Sequence, residues 1–347
     1  MTDFGGNPFA ALARAIASAA DPDQAKERRA RSLPATKRFP KAGHWWDWRE
    51  IDALTFAWSA RRPLLVRGEA GCGKSQIARA AAAALGEQEP LVEVIHPRFE
   101  ALDLLYRVDS IERLADAQLQ RLDPTNWKYV KAGALWQAMY QAERGATPVL
   151  LIDEIDKADA DVPNALLEVL GNRSFTVPPL KNMRVSAEEG RMPLVIITTN
   201  EERELPAAFV RRCAVLNLNP PSSEKSDEPF IEWLVQRGLV HELQIDVDAR
   251  RHAARQVLED RKKAERKGYP KVGLAEYIDL LTAIQDLTES LDGDERKRAQ
   301  TDWLNRLGAY GLVKNADQPQ DRSPVAEEAK ESPDLAKPAA VGSDGGS

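Results

Sequence analysis

The chain has 347 residues, enough for one large or two modest domains with a buried core. A net charge of −6, with 43% hydrophobic and 29% charged residues, fits a soluble globular protein and argues against a constitutive nucleic-acid binder, local patches aside. No apolar run reaches membrane-spanning length, and the start MTDFGGNPFA lacks a basic secretory leader. Two cysteines and four scattered histidines offer neither a disulfide framework nor zinc spacing, so a reduced cytoplasm is the expected home.

In chain order, residues 1–40 carry little pattern beyond the Ala-rich stretch from Phe9 to Ala20, and are expected to form a flexible arm or to lie over the body. His44–Trp48 (HWWDW) is the densest aromatic cluster and leads into a helix from Arg49 to Ser59. It can pack into a core or offer a stacking platform for an adenine ring.

The next stretch is the most informative. Pro63–Arg67 reads as a buried strand, Gly68–Ser75 (GEAGCGKS) matches G-x-x-x-x-G-K-[ST], and Gln76–Leu85 reads as an Ala-rich helix. Strand, glycine loop and helix form a phosphate cradle from backbone N–H groups and the positive end of a helix. Lys74 would face the β- and γ-phosphates, and the Ser75 hydroxyl would help hold Mg²⁺.

Leu91–His96 is expected as the second strand, with a helix beginning at Phe99. The pattern then frays over 107–130 into a hairpin or an interrupted helix, before an amphipathic helix over Gly133–Arg144. Val149–Asp156 (VLLIDEID) is a buried strand delivering two acids at its end. Asp153 would hold Mg²⁺ in line with Ser75, and Glu154 would polarise the attacking water. Leu194–Thr199 is a further buried strand, ending at Asn200, which could orient water beside the γ-phosphate. Arg211 and Arg212 follow in Ala207–Cys213 (AAFVRRC), where an arginine can serve a neighbouring subunit's γ-phosphate. After a last strand, Val215–Leu218, helices are expected over 229–240, 246–267 and 274–290. The charge run Asp260–Lys271 fits a solvated helix face or a nucleic-acid patch, and the composition of 314–347 predicts disorder.

Taken in order, GEAGCGKS, VLLIDEIDKA, ITTN and LPAAFVRRC resemble the MoxR-like branch of the AAA+ ATPases, over roughly residues 45–290. The resemblance implies an α/β fold: a P-loop core with a parallel sheet of order 5-1-4-3-2 flanked by helices, and a small α-helical lid domain. The domains would run 1–40 (arm), 41–221 (core), 222–312 (lid) and 313–347 (tail). By match, the cofactor ATP would be held by Gly68, Glu69, Ala70, Gly71, Cys72, Gly73, Lys74, Ser75 and Gln76, with Asp153. Ser75 and Asp153 would hold Mg²⁺, Glu154 and Asn200 would act on the water, and Arg212, or next Arg211, would be the finger.

The segment 101–130 resembles the helix-2 insert of that branch, and 172–193 the hairpin before sensor 1. Relatives look like hexameric remodelling ATPases, so a homo-oligomeric ring and a protein partner with a von Willebrand factor A domain are implied. Nucleic acid is a less favoured partner, and no membrane insertion is expected. A DNA-translocating or restriction-type motor and an ATP-gated assembly switch share these motifs. One departure stands out: the region of the sensor 2 arginine, Lys271–Tyr277 (KVGLAEY), has no arginine, leaving Lys271 as its replacement if there is one.

Overall fold

The structure is a computed structural model describing residues 6–188, 191–222 and 225–312. In the first part of the chain, α1 (Pro8–Ala17), α2 (Pro22–Arg29), β1 (Ala30–Leu33), β2 (Ala42–Trp45) and α3 (Trp48–Ala60) lead into β3 (Leu64–Arg67) and α4 (Lys74–Ala84). Next come β4 (Leu91–Val94), β5 (Tyr106–Val108), α5 (Ser110–Gln118), β6 (Val130–Ala132) and α6 (Ala134–Glu143). β7 (Val149–Asp153), α7 (Asp161–Asn172), β8 (Ser174–Val177), β9 (Met183–Ser186), β10 (Leu194–Thr199), α8 (Ala207–Val210) and β11 (Ala214–Asn217) follow. Four helices close the described chain: α9 (Glu228–Leu239), α10 (Val247–Lys267), α11 (Leu274–Thr288) and α12 (Gly293–Gly311). Two compact units result: one of residues up to Leu243 with Gly273–Ala275, the other of Gln244–Val272 with the chain from Glu276.

The first unit is built on a five-stranded sheet of order β11-β3-β10-β7-β4, parallel at every pairing. This is the order 5-1-4-3-2. Its central strands are apolar at consecutive positions because both faces are covered. The period of two sorts them. Leu64, Val66, Val149, Leu151, Leu194 and Ile196 face the layer containing Leu54, Ile77 and Ala78, so α3 and α4 cover that face. Leu65, Leu150, Ile152, Val195 and Ile197 face the layer of Leu135, Met139 and Leu166, supplied by α6 and α7. The same alternation, carried one step past the apolar runs, puts Asp153 and Thr198 on the α4 face. It thereby fixes the site.

Of the two expectations for the N-terminal segment, the described residues follow the one in which it lies over the body rather than the flexible arm. Asn7 caps α1 by accepting from the Phe9 and Ala10 amides, and Asp21 caps α2. Phe9 and Ile16 are buried against the α3 side of the core, and Phe9 meets Trp58 edge-on. β1 pairs antiparallel with β2, from Ala30 opposite Trp45 to Leu33 opposite Ala42.

Other differences are local. The helix expected from Phe99 is a single tight turn, Ala101–Leu104, followed by β5. Gly133 explains the break, since a Cβ there would lie 2.5 Å or less from backbone atoms of Asp103 and Leu104. β5 and β6 pair antiparallel around α5, so the frayed segment is a hairpin carrying a helix. β8 and β9 form a second antiparallel pair.

In the second unit, Tyr277, Leu280, Leu281 and Ile284 of α11, Ala253 and Val257 of α10, and Leu304 of α12 are buried. Gln300, fully buried, donates to the Gln244 carbonyl at 2.8 Å and accepts from the Asp246 amide at 2.9 Å. That pair of bonds satisfies an otherwise costly amide. The basic run of α10 is largely spent within this unit: Lys263 pairs with Asp260, Lys271 with Glu265, and Arg261 donates to the Val272 carbonyl. α12 lies beyond the helices anticipated from sequence, because its described surface is mostly charged and its apolar period is weak. The tail expected to be disordered lies outside the described residues.

Candidate functional site

The site forms at the C-terminal ends of β3, β7 and β10, where the central strands of a parallel sheet deliver loops to one edge. β3 ends at Arg67, and the loop that follows has three glycines at positive φ, Gly68, Gly71 and Gly73. Gly73 lies at φ 98°, a left-handed conformation that glycine adopts at no steric cost. Gly68 is held by close approach, since a Cβ on it would sit 2.5 Å from the Leu218 carbonyl oxygen. Gly71 accepts a hydrogen bond from the Ala275 amide at 3.1 Å. Cys72 is buried, and burial pushes its thiol pKa up against the pull of the nearby Lys74 charge.

Lys74 opens α4 and is buried, with its ammonium donating to three oxygens. These are the Gly68 and Glu69 carbonyls, each at 2.8 Å, and Asn200 Oδ1 at 2.6 Å. One residue on, the Ser75 hydroxyl donates to Asp153 at 2.9 and 3.1 Å. Asn200 in turn donates from Nδ2 to Glu154 Oε1 at 3.3 Å. A continuous polar chain, Lys74–Asn200–Glu154, therefore spans three separate loops.

Glu154 has a left-handed backbone (φ 60°, ψ 49°), and its Oε2 accepts from Lys157 Nζ at 2.6 Å. That hydrogen bond raises Lys157 above the ordinary lysine range. Asp156, also buried, accepts at Oδ2 from the Glu202 amide at 2.9 Å and ties this loop to the one after Asn200.

Sequence reasoning missed Thr198. Its hydroxyl donates to Asp153 Oδ1 and accepts from the Glu154 amide at 2.9 Å, so one side chain positions both acids. The local signal was partial: Thr198 and Thr199 end an otherwise apolar strand, and a buried hydroxyl needs partners, but the neighbouring strand decides which.

The two arginines are placed differently. Both are exposed and lie between α8 and β11. Ala214 pairs with Leu64 in parallel register, so Arg212 sits beside Arg62 at the N-terminal edge of the sheet. A four-residue strand puts roughly 13 Å between that edge and the phosphate loop. Arg212 lines a cavity with Arg61, Arg62, Asn164 and Glu168, whereas Arg211 lines one with Arg67, Thr199 and Glu201. Neither makes a hydrogen bond or ion pair with Lys74, Asp153, Glu154 or Asn200 among the described residues.

The aromatic cluster is mainly structural. Trp45 and Trp46 are buried, Asp47 and Glu50 form a capping box on α3, and His44 lies 3.1 Å from Glu50. Arg237 of α9 is buried 3.9–4.0 Å from both acids, and burial lowers its pKa against their pull.

Ser75 and Asp153 supply a hydroxyl and a carboxylate side by side, hard oxygen donors of the kind Mg²⁺ takes. The backbone cradle with its lysine likewise fits a polyphosphate. Residues 63–213 match the family model for the AAA domain of the dynein-related subfamily. That stretch is similar to an AAA domain.

Curated relatives agree. The chaperone protein ClpB 2 of Parasynechococcus marenigrum is 36% identical over 119 residues, covering 33% of this chain and 12% of its own. The chaperone protein ClpB of Mycoplasma genitalium is 30% identical over 133 residues, covering 38% and 16%. The chain thus matches only a small part of the length of these relatives. A crystallised candidate ATPase from Cytophaga hutchinsonii covers 74% of this chain and 80% of its own, at 15% identity and a TM-score of 0.34, too low to carry an argument. The matched AAA domain runs from the residue before β3 to the residue before β11. It contains every sequence-predicted site residue, from the phosphate loop to Arg212. Among the described residues no helix is long and apolar enough to cross a membrane.

Proposed function

We propose that this protein is a Mg²⁺-dependent ATPase that works as a homo-oligomeric ring and couples hydrolysis to remodelling of a protein partner. The observation that carries the hydrolytic reading is the chain Lys74–Asn200–Glu154. It connects the cation that would face the β/γ-phosphates to the carboxylate that would accept a proton from water. The Gly68–Gln76 loop would hold the phosphates, and Ser75 with Asp153 would hold the metal. When bound, Mg²⁺ neutralises charge on the phosphoryl oxygens. Asn200 orients the Glu154 carboxylate, and Glu154 would take the water's proton as the water oxygen bonds to the γ-phosphorus and the P–O bond to ADP breaks. Thr198 keeps Asp153 and Glu154 in register.

The remodelling role draws on the chaperone relatives and on the MoxR-like order of the four motifs. On that reading the ring is a hexamer, the compartment is the cytoplasm, and the partner bears a von Willebrand factor A domain. Arg212 would act on a neighbour's nucleotide, since the sheet separates it from its own.

Two variants test the reading. Lys74→Ala should weaken ATP binding, because it removes the buried cation. Glu154→Gln should bind ATP as well as the parent but lose about 10²–10⁴-fold in turnover. Equilibrium binding and phosphate release measure the two separately. Parent-like hydrolysis by Glu154→Gln would remove Glu154 as the base.

A further inference from the structure

The residue that follows the acid pair by three positions has a role of its own. Glu154 is left-handed, and Ile155–Lys157 forms one turn of 3₁₀ helix closed by the Lys157 amide donating to the Glu154 carbonyl at 3.0 Å. A 3₁₀ turn has three residues per turn. Glu154 caps that turn in a left-handed conformation, and the turn brings Lys157 back beside it, where Nζ reaches Oε2 at 2.6 Å. Oε1 is taken by Asn200. Both carboxylate oxygens are thus engaged, one of them by a full positive charge.

Each carboxylate oxygen keeps a second lone pair beside its hydrogen bond, but the ammonium on Oε2 competes with the water's proton for that oxygen and fixes where the group points. We propose that Lys157 is a positioning residue that parks the Glu154 carboxylate, holding basal turnover down until the contact opens. This rests on the hydrolytic reading above. The latch is built to open at small cost, because the two side chains keep 34% and 29% of their surface exposed. Solvent-accessible pairs of this kind contribute little to stability. The ammonium also has somewhere to go, since the charges of Asp156 and Glu202 lie close enough to act on Lys157. Asp156 gives only Oδ2 to the Glu202 amide, and its buried Oδ1 has no hydrogen-bond partner among the described residues, so Asp156 Oδ1 and the exposed Glu202 side chain are both alternative partners.

The test is steady-state ATP hydrolysis by the full chain with Mg²⁺, comparing the parent, Lys157→Met, Lys157→Arg and the double variant Glu154→Gln/Lys157→Met. Methionine keeps the length of the chain and removes the charge. The expected result is a kcat about two- to fivefold above the parent for Lys157→Met, the range an exposed pair commands. KM for ATP should stay within about twofold, since among the described residues Lys157 has no hydrogen bond or ion pair with the phosphate loop. Lys157→Arg, which restores a cation, should return kcat to near the parent's. The double variant should be no faster than Glu154→Gln alone. A Lys157→Met enzyme as slow as the parent or slower overturns the latch, as does a gain that persists without the Glu154 carboxylate. If the parent and Lys157→Met are both inert toward ATP, the hydrolytic reading fails and takes the latch with it. If the parent hydrolyses ATP and Lys157→Met is no faster, the latch alone is lost.

Discussion

The two ends of the five-stranded sheet are organised on opposite principles. At the C-terminal end, Lys74, Ser75, Asp153, Glu154, Thr198 and Asn200 are hydrogen-bonded to one another. At the N-terminal end, Arg61, Arg62 and Arg212 gather round a cavity and are exposed. The first end is complete within one chain, its charges held by internal partners before any ligand arrives. The second has cations in excess, a surface that makes chemical sense when something anionic is brought to it. Pre-organisation at one end and incompleteness at the other is what a shared site between copies would require.

The largest effect should come from breaking the incomplete end. Arg212→Ala is expected to lose about 10³-fold or more in turnover, as removal of an arginine finger does. Mixed with Glu154→Gln under conditions where rings form, it should recover part of the activity, because some interfaces then pair an intact Glu154 with a neighbour's intact Arg212. No recovery in demonstrably mixed rings would make Arg212 a surface arginine. The same experiment on Arg211→Ala decides between the two, whose side chains line different cavities.

A smaller effect is expected from the complete end, where the positioning hydroxyl can be removed without touching either acid. Thr198→Val should cost about 10–100-fold in Mg²⁺ dependence or turnover, the scale of losing a residue that orients a metal ligand. Metal titrations of activity would show it as a rightward shift. Turnover unchanged at every Mg²⁺ concentration would mean that Asp153 and Glu154 hold their positions without it.

Smaller still is a pH effect beside the arginines. Burial pushes the Cys213 thiol up to about 12, against the lowering pull of Arg67 and Arg62. The folded state thus keeps the thiol protonated where an unfolded chain would ionise it. Its contribution to stability is therefore full below about pH 9 and falls as pH rises toward 12. Cys213→Ala should flatten the alkaline limb of a melting-temperature profile while costing some stability at neutral pH. An unchanged slope above pH 9 would show that other groups set it.

Much of this was legible beforehand, for identifiable reasons. GEAGCGKS and VLLIDEID could be read because a phosphate cradle and a buried acid-tipped strand tolerate few other residues, and the strand order followed from the resemblance they support. Contacts across loops were not legible. Nothing local to Thr198 says that it bridges Asp153 and Glu154; that depends on β7 and β10 lying side by side in register, from Leu194 opposite Val149 to Ile197 opposite Ile152. Lys157 was passed over because its role comes from a backbone turn rather than a motif. The segment at residues 7–33, expected to be flexible or laid over the body, packs on the core through Phe9, Leu12, Ala13 and Ile16, an i, i+3, i+4, i+7 face that an Ala-rich stretch read by composition alone does not reveal.

The left-handed backbone at Glu154 carries a consequence for how this domain trades stability against activity. A non-glycine residue in that conformation costs about 1–2 kcal/mol, and asparagine tolerates it better than glutamate. The fold alone would choose asparagine at position 154. Glu154→Asn should therefore melt about 2–4 °C higher while turning over far more slowly, as calorimetry and phosphate release would record. A variant that melts lower would show that the carboxylate's bonds to Lys157 and Asn200 outweigh the strain. On the expected outcome, the chain gives up stability at the one position where a proton must be taken.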